Sequence, residues 1–385
     1  MRIRKNVKRL TAAEKTAFTD AVLALKTKPS VLHPGNPKLT RYDDYPETHM
    51  AAMMASPGWA HRGPAFFPWH RELLLQFEND LAAIDPSVTI PYWDWTDAAS
   101  SPFTPDFLGG NGSGSSQKVM NGPFAYDGTN HWTINVPDSP GDPVFLQRDF
   151  GADMTAPSLP SSGQVNTIQG VTPYDAAPWH DNTGAYRAQL EGGLHNLVHR
   201  YVGGTMGAMT SPNDPVFWLH HCNIDRLWSE WQRLHPTASP YMPVTGAPAG
   251  QNLNDDMIFS MGGPAPWPGS STPASVIDAT ALGYTYDSAV ISIPHLPLTA
   301  VRILFGVTND APGVVIGPDG RPHVVPGGPG DPVWTQLTHV EKDRVLASAL
   351  LELSHLASNA TVRADIQKAA KALQGARARV ERAVA

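Results

Sequence analysis

The chain is 385 residues long, carries 28 Lys and Arg against 35 Asp and Glu for a formal charge of −7, and holds 15 His and one Cys. That length supports a large core or two domains, while the acidic balance, with no long basic run after the short stretch from Arg2 to Arg9, speaks against nucleic-acid binding. One Cys excludes an internal disulfide, and no apolar stretch reaches the about 20 residues of a membrane-spanning helix.

Thr11-Ala-Ala-Glu14 reads as a capping box opening an amphipathic helix through Leu25. No apolar segment of the signal-peptide kind follows the basic start, so the sequence reads as cytoplasmic, or as exported by a partner. His49 sits in a helical run that follows Asp43-Asp44-Tyr45-Pro46-Glu47-Thr48 and ends near Ala55. The stretch from Ser56 to Pro64, which contains Trp59 and His61, is loop by its Pro and Gly content. His70 opens a helix whose Leu73, Leu74, Phe77 and Leu81 recur at helical spacing.

Residues 96–169 are rich in Gly, Ser, Pro and Asn without helical periodicity, which predicts long loops with short strands near residues 131–136. His195 and His199 are four apart, so on a helix they project from one face. Asp214 and Pro215 then read as the N-cap and first position of a new helix, placing His221 two turns in. Residues 236–275 are again loop-like. Residues 289–293 and 300–305 are candidate strands by their β-branched content, residues 312–332 are turn-rich, and two helices are expected from Thr338, the first with Val345, Leu346, Ala349, Leu350, Leu353 and Leu356 on a stripe, the second from about Thr361. The expected division is a catalytic domain over 1–287 and a small mixed extension over 288–385.

Six histidines thus fall in two sets of three: His49, His61 and His70, then His195, His199 and His221. A lone His on an amphipathic helix is usually a hydrogen-bonded packing residue. Two sets of three imidazoles without carboxylate ligands describe a pair of copper ions better than any other metal set. A dinuclear hydrolase would need bridging carboxylates, and none has the spacing. Cys222 follows His221 but points about 100° away on a helix, so it reads as a small buried residue.

The stretches Phe66-Phe-Pro-Trp-His70-Arg-Glu72, Pro91-Tyr-Trp-Asp-Trp95, His195-Asn-Leu-Val-His199 and Asn213-Asp-Pro-Val-Phe-Trp-Leu-His-His221-Cys-Asn-Ile-Asp225-Arg226 resemble the copper-binding signatures of the tyrosinase family of type-3 copper proteins. The likeness runs to the tyrosine motif Leu282-Gly-Tyr-Thr-Tyr-Asp287. It implies a mainly α fold with a four-helix bundle holding two copper ions, bound by His49, His61, His70, His195, His199 and His221, and oxidation of monophenols and catechols to o-quinones by O2. His220 is then the member of its pair that packs, or that supports the ligands from behind, without binding metal. Trp59 stands where plant and fungal relatives often carry a Cys linked to the second ligand of the first copper, a departure that resembles the bacterial branch. The four-residue step from Glu191 to His195 instead matches plant polyphenol oxidases.

The same resemblance implies that Glu191 and Asn196 hold a water that takes the phenol proton, that Arg200 and Met209 stand at the substrate entrance, and that Phe217 packs on ligand rings at the pocket wall. Asp94 and Asp225 are candidates to accept the other ring N–H of ligating histidines. The expected partners are phenolic small molecules, O2 and a copper chaperone. An o-aminophenol oxidase and a haemocyanin-like O2 carrier remain open on the same six histidines.

Overall fold

The computed structural model describes residues 1–126, 132–180, 183–261 and 265–288, and beyond them the strands Val314–Ile316 and Pro322–Val324. Arg2–Asp287 is one compact unit; Ser288–Ala385, with Met1, is a second. The described helices all lie in the first. They are α1 (Ala12–Leu25), α2 (Asp44–Met54), α3 (Phe66–Ile84), α4 (Ser162–Gln169), α5 (Tyr186–Gln189), α6 (Asn196–Val202) and α7 (Val216–Leu234). The protein is mainly α.

The first helix starts where local chemistry sets it: the Thr11 side chain accepts from the Glu14 backbone N–H and the Glu14 carboxylate accepts from that of Thr11. The second element with such a box was not expected. Ser161 and Gln164 cap α4 in the same reciprocal way, inside a stretch that composition marks as loop. Helix α3 begins at Phe66, a turn before the expected opening at His70, because Phe66, Phe67 and Trp69 add a fully apolar first turn to the buried stripe.

Four helical segments form the bundle: α2, α3, the run from α5 to α6, and α7. Trp218 of α7 stacks on Phe77 of α3 with ring centroids 3.6 Å apart, and Trp228 on Phe67 at 5.5 Å. These pairs bury large apolar area and fix which faces of α3 and α7 meet. Between α5 and α6, residues Leu190–His195 form a π-helical turn. Such a turn holds one extra residue and re-aims its side chains, a feature frequent at functional sites.

Helix α7 begins at Val216, with Asp214 and Pro215 one residue earlier than expected; Asp214 nonetheless accepts from the Val216 N–H at 3.0 Å. Its carboxylate is also gripped in a bidentate pair by buried Arg148, with Nε and Nη2 each 2.7 Å away.

The sheets are small. Strand β1 (Arg2–Arg4) pairs in parallel with β4 (Tyr284–Tyr286), joining the N-terminal stretch to the tyrosine motif; β2 (Gly112–Ser113) and β3 (Lys118–Val119) form a short ladder. No strand occurs over residues 132–136, where one was expected. In the second unit β5 (Val314–Ile316) and β6 (Pro322–Val324) pair antiparallel, so the stretch read as turns contains a hairpin. The expected strands at 289–293 and 300–305 and the helices from Thr338 lie outside the described residues. No described helix is long and apolar enough to cross a membrane.

Candidate metal centre

Helix α2 delivers His49, the loop after it His61, and α3 His70; the π-turn ends on His195, α6 carries His199, and α7 carries His221. The bundle brings all six together. In the first set the ring nitrogens lie within 4.8 Å of one another; in the second, His195, His199 and His221 are joined within the same limit by His220. The rings of His70 and His221 stack at 4.3 Å, so the two sets are neighbours in one site.

Backbone carbonyls set the tautomers. The Nδ1 of His49 donates to the Met209 carbonyl at 2.7 Å, that of His70 to Phe66 at 2.7 Å, and that of His199 to Met206 at 2.8 Å. His195 Nδ1 faces the Asn196 Oδ1 at 3.0 Å. With Nδ1 protonated, the Nε2 of each of these four rings presents a lone pair. The Nε2 atoms converge: His61 and His49 Nε2 are 3.1 Å apart, and His221 Nε2 lies 3.3 Å from both His195 and His199 Nε2. Acceptors facing acceptors repel unless a cation lies between them, and His70 Nε2 is buried with no hydrogen-bond partner. The donor set therefore fits two metal ions bound by nitrogen alone, as copper favours.

Burial, reinforced by the neighbouring imidazoles, holds His49, His70, His195 and His221 well below the usual histidine range, and burial brings His199 to about 4. The rings are thus neutral ligands at physiological pH. His220 differs. Trp95 Nε1, which can only donate, gives its hydrogen to His220 Nδ1 at 3.0 Å, so the proton of that neutral ring sits on Nε2 and neither nitrogen has a free lone pair for metal. Cys222 is buried, its thiol donates to the Ile90 carbonyl at 3.4 Å, and burial pushes its pKa far up, which keeps it a thiol.

A cavity of about 800 Å³ opens beside His61, walled by Met53, Arg62, Ile168, Ala188, Glu191 and Asn196. Glu191 and Asn196 are therefore brought to one cavity. Glu191 is heavily engaged: Oε1 accepts from the Arg62 backbone N–H at 2.6 Å and lies 3.4 Å from His61 Nδ1, and Oε2 accepts from Arg187 at 2.9 Å. Burial alone would raise this carboxyl, but the hydrogen bond from His61 and the charge of Arg187 hold it below the usual range.

Phe217 packs against the rings of His221 at 4.1 Å and His49 at 5.1 Å and is fully buried, so it braces ligands from behind. Arg200 and Met209 do not line the cavity; Arg200 is directed at Asp153 with Nε 4.0 Å from the carboxylate, and Met209 contributes its carbonyl to His49. The two aspartates expected behind the histidines are placed elsewhere. Asp94 accepts from Thr96 within its own turn. Asp225 accepts from Arg71 Nε at 2.5 Å, Arg4 Nη1 at 3.2 Å, Tyr284 at 2.7 Å and Tyr286, because two buried guanidinium groups demand a carboxylate more strongly than a ring N–H does. His49, His70 and His199 use backbone carbonyls instead, His195 uses Asn196, and His61 faces Glu191.

Sequence reasoning missed Arg187 and Asp175. The first had a signal, since Arg187 and Glu191 are an opposite-charge pair four residues apart. Asp175 had none.

The chain is similar to known proteins. The family model for the common central domain of tyrosinase matches residues 39–234. A tyrosinase from Streptomyces antibioticus is 43% identical over 298 residues, covering 74% of this chain and 100% of the relative, and the grixazone synthase of Streptomyces griseus is 35% identical over 326 residues, covering 74% and 99%. Among solved structures, a variant of the polyphenol oxidase from Thermothelomyces thermophila aligns with a TM-score of 0.58 at 25% identity, over 74% of this chain and 88% of that one.

Proposed function

The chain belongs to the tyrosinase family, and from that premise we propose that it converts both monophenols and o-diphenols to o-quinones with O2 as oxidant. It is a copper-dependent oxidase acting on phenols, with a dicopper centre. In this reading His49, His61 and His70 hold one ion and His195, His199 and His221 the other. The observation that carries it is the convergence of imidazole Nε2 atoms at 3.1–3.3 Å in two adjacent sets.

When bound, the copper pair supplies the place where O2 is reduced by electrons leaving the aromatic substrate. The protein's own groups do the rest. The cavity beside His61 takes the ring, and Phe217 behind the ligands keeps their rings from turning. A phenol with a pKa near 10 is protonated at neutral pH, so hydroxylation needs a proton acceptor. We assign that role to a water held by Glu191 and Asn196, which line one cavity. The side chains of Arg200 and Met209 stand outside the cavity wall.

Because the ligand rings are largely buried, delivery of copper by a chaperone belongs to the same proposal. Residues 1–287 are the catalytic domain, and limited proteolysis near Ser288 decides whether 288–385 is a lid or a packing element: a lid, once removed, raises activity on bulky catechols at constant copper content.

The test is O2 uptake by the copper-loaded protein on a monophenol, a catechol and an o-aminophenol. Turnover of the first two is expected, and Asn196→Ala should slow the monophenol more than the catechol. Turnover of the aminophenol alone would make the protein an aminophenol oxidase, and reversible O2 binding without turnover would make it a carrier.

A further inference from the structure

Of the six ring ligands only His61 is borne by a loop. A loop side chain loses more freedom on fixing than one on a helix, so something must hold this ring. Three observations identify it. Arg62, the next residue, has φ +60, the left-handed region that a non-glycine residue rarely enters and keeps only when its surroundings over-determine it. That turn aims the Arg62 N–H at Glu191 Oε1, 2.6 Å away, and the same oxygen lies 3.4 Å from His61 Nδ1. One carboxylate oxygen thus clamps both the ring and the turn beside it.

The clamp is itself held. Arg187 donates from Nη1 to Glu191 Oε2 at 2.9 Å, while its Nε and Nη2 reach the two oxygens of Asp175 at 2.8 and 3.2 Å and Nη2 also reaches the His180 carbonyl at 2.9 Å. Asp175 accepts in addition from the Ala176 N–H and the Thr183 hydroxyl. Asp175 and Arg187 are fully buried and Glu191 nearly so. A carboxylate this close to a metal set would otherwise be free to bind the metal, since carboxylates are common ligands. Tying Oε2 to Arg187 Nη1 leaves Oε1 facing the ring N–H.

We propose that Arg187, braced by Asp175, is a positioning residue for the first copper: through Glu191 it fixes the His61 ring and the Arg62 turn and keeps the carboxylate off the metal. This rests on the reading of the two histidine sets as a copper pair. The alternative is a buried ion pair that only stabilises the fold.

The full-length apo-protein is titrated with Cu(I) against a chromophoric Cu(I) chelator, as wild type, Arg187→Met, Arg187→Lys and Asp175→Asn. Each is repeated in a His221→Ala background, where only the first set is complete. Amide exchange at Arg62 is followed in the apo state. Loss of a hydrogen-bond partner behind a metal ligand typically costs 10–100-fold in affinity. Arg187→Met is expected to weaken the first copper by about that factor, to spare the second, and to speed exchange at Arg62; Arg187→Lys recovers most of the loss, and Asp175→Asn shifts the same two readouts less.

Equal weakening of both coppers together with a lower apo melting temperature, or no change in either readout, overturns the proposal. If Arg187→Met does not fold, Asp175→Asn decides by itself, and unchanged Arg62 exchange with unchanged first-site affinity overturns it. A wild-type protein that fails to bind two coppers sinks the dicopper reading, whereas two undisturbed coppers in the variants sink only the role of Arg187.

Discussion

Four histidines crowd the second half of the site, and replacing His220 by Leu separates ligand from neighbour. The side chain is fully buried, its Nδ1 accepts from Trp95 Nε1 at 3.0 Å, and its ring stacks on His195 with centroids 5.2 Å apart. Leucine fills a similar volume but leaves the indole N–H buried without an acceptor, which costs about 1–3 kcal/mol. For a unit of this size that lowers the melting temperature of the apo-protein by roughly 2–5 °C. Copper content should not follow, because a ring whose Nδ1 accepts and whose Nε2 carries the proton offers the metal no lone pair. Elemental analysis after copper loading should give two coppers per chain for His220→Leu and one for His221→Ala, with scanning calorimetry of the apo forms run beside it. A His220→Leu protein that melts like wild type yet holds a single copper would refute the tautomer argument and make His220 a ligand.

Three further outcomes follow from the same contacts. Asp225→Asn leaves Arg4 and Arg71 buried beside a neutral amide; breaking such a cluster costs about 3–5 kcal/mol, so calorimetry should show roughly 5–8 °C of destabilisation, and a loss within error of zero would mean the network is solvated. Cys222→Ser keeps a donor for the Ile90 carbonyl and should retain both coppers and most activity; loss of copper would make Cys222 a ligand. The pH dependence has a definite sign: His199 titrates at about 4 in the fold against about 6.5 unfolded, so the unfolded chain takes up the proton first. Apo-protein stability from this group is complete above pH 6.5, falls between 6.5 and about 4, and is level below that. Denaturant midpoints that rise on acidification through this window would contradict the burial of the ring.

What the sequence made legible is what local chemistry determines. The Thr11–Glu14 box places α1, the i,i+4 step places His195 and His199 on one face, and the apolar spacing of Leu73, Leu74, Phe77 and Leu81 marks α3. The Ser161–Gln164 box was equally readable, but the composition around it concealed a short helix. The π-turn over Leu190–His195 has no composition marker, since it is a shift of hydrogen-bond register rather than of residue type. Asp225 and Asp94 were assigned to ring N–H groups because carboxylates often stand there. The partners that claim Asp225 are Arg71, 154 residues away, and Arg4, 221 residues away and brought in by the pairing of β1 with β4, contacts no local pattern announces. The clamp on His61 was hidden for the same reason: Asp175, Arg187 and Arg62 become neighbours only once the loop after α2 is laid against the turn before α6.

The central claim is that two sets of three neutral imidazoles hold a copper pair that reacts with O2, and one measurement reaches it directly. The full-length protein is reconstituted with Cu(I) without oxygen, its copper is counted, and O2 is then admitted while the near-ultraviolet spectrum is recorded. The account predicts two coppers per chain and a strong oxygen-to-copper charge-transfer band that appears only with O2 and is lost in His221→Ala. A single copper per chain, or two coppers with no spectral response to O2, would contradict it.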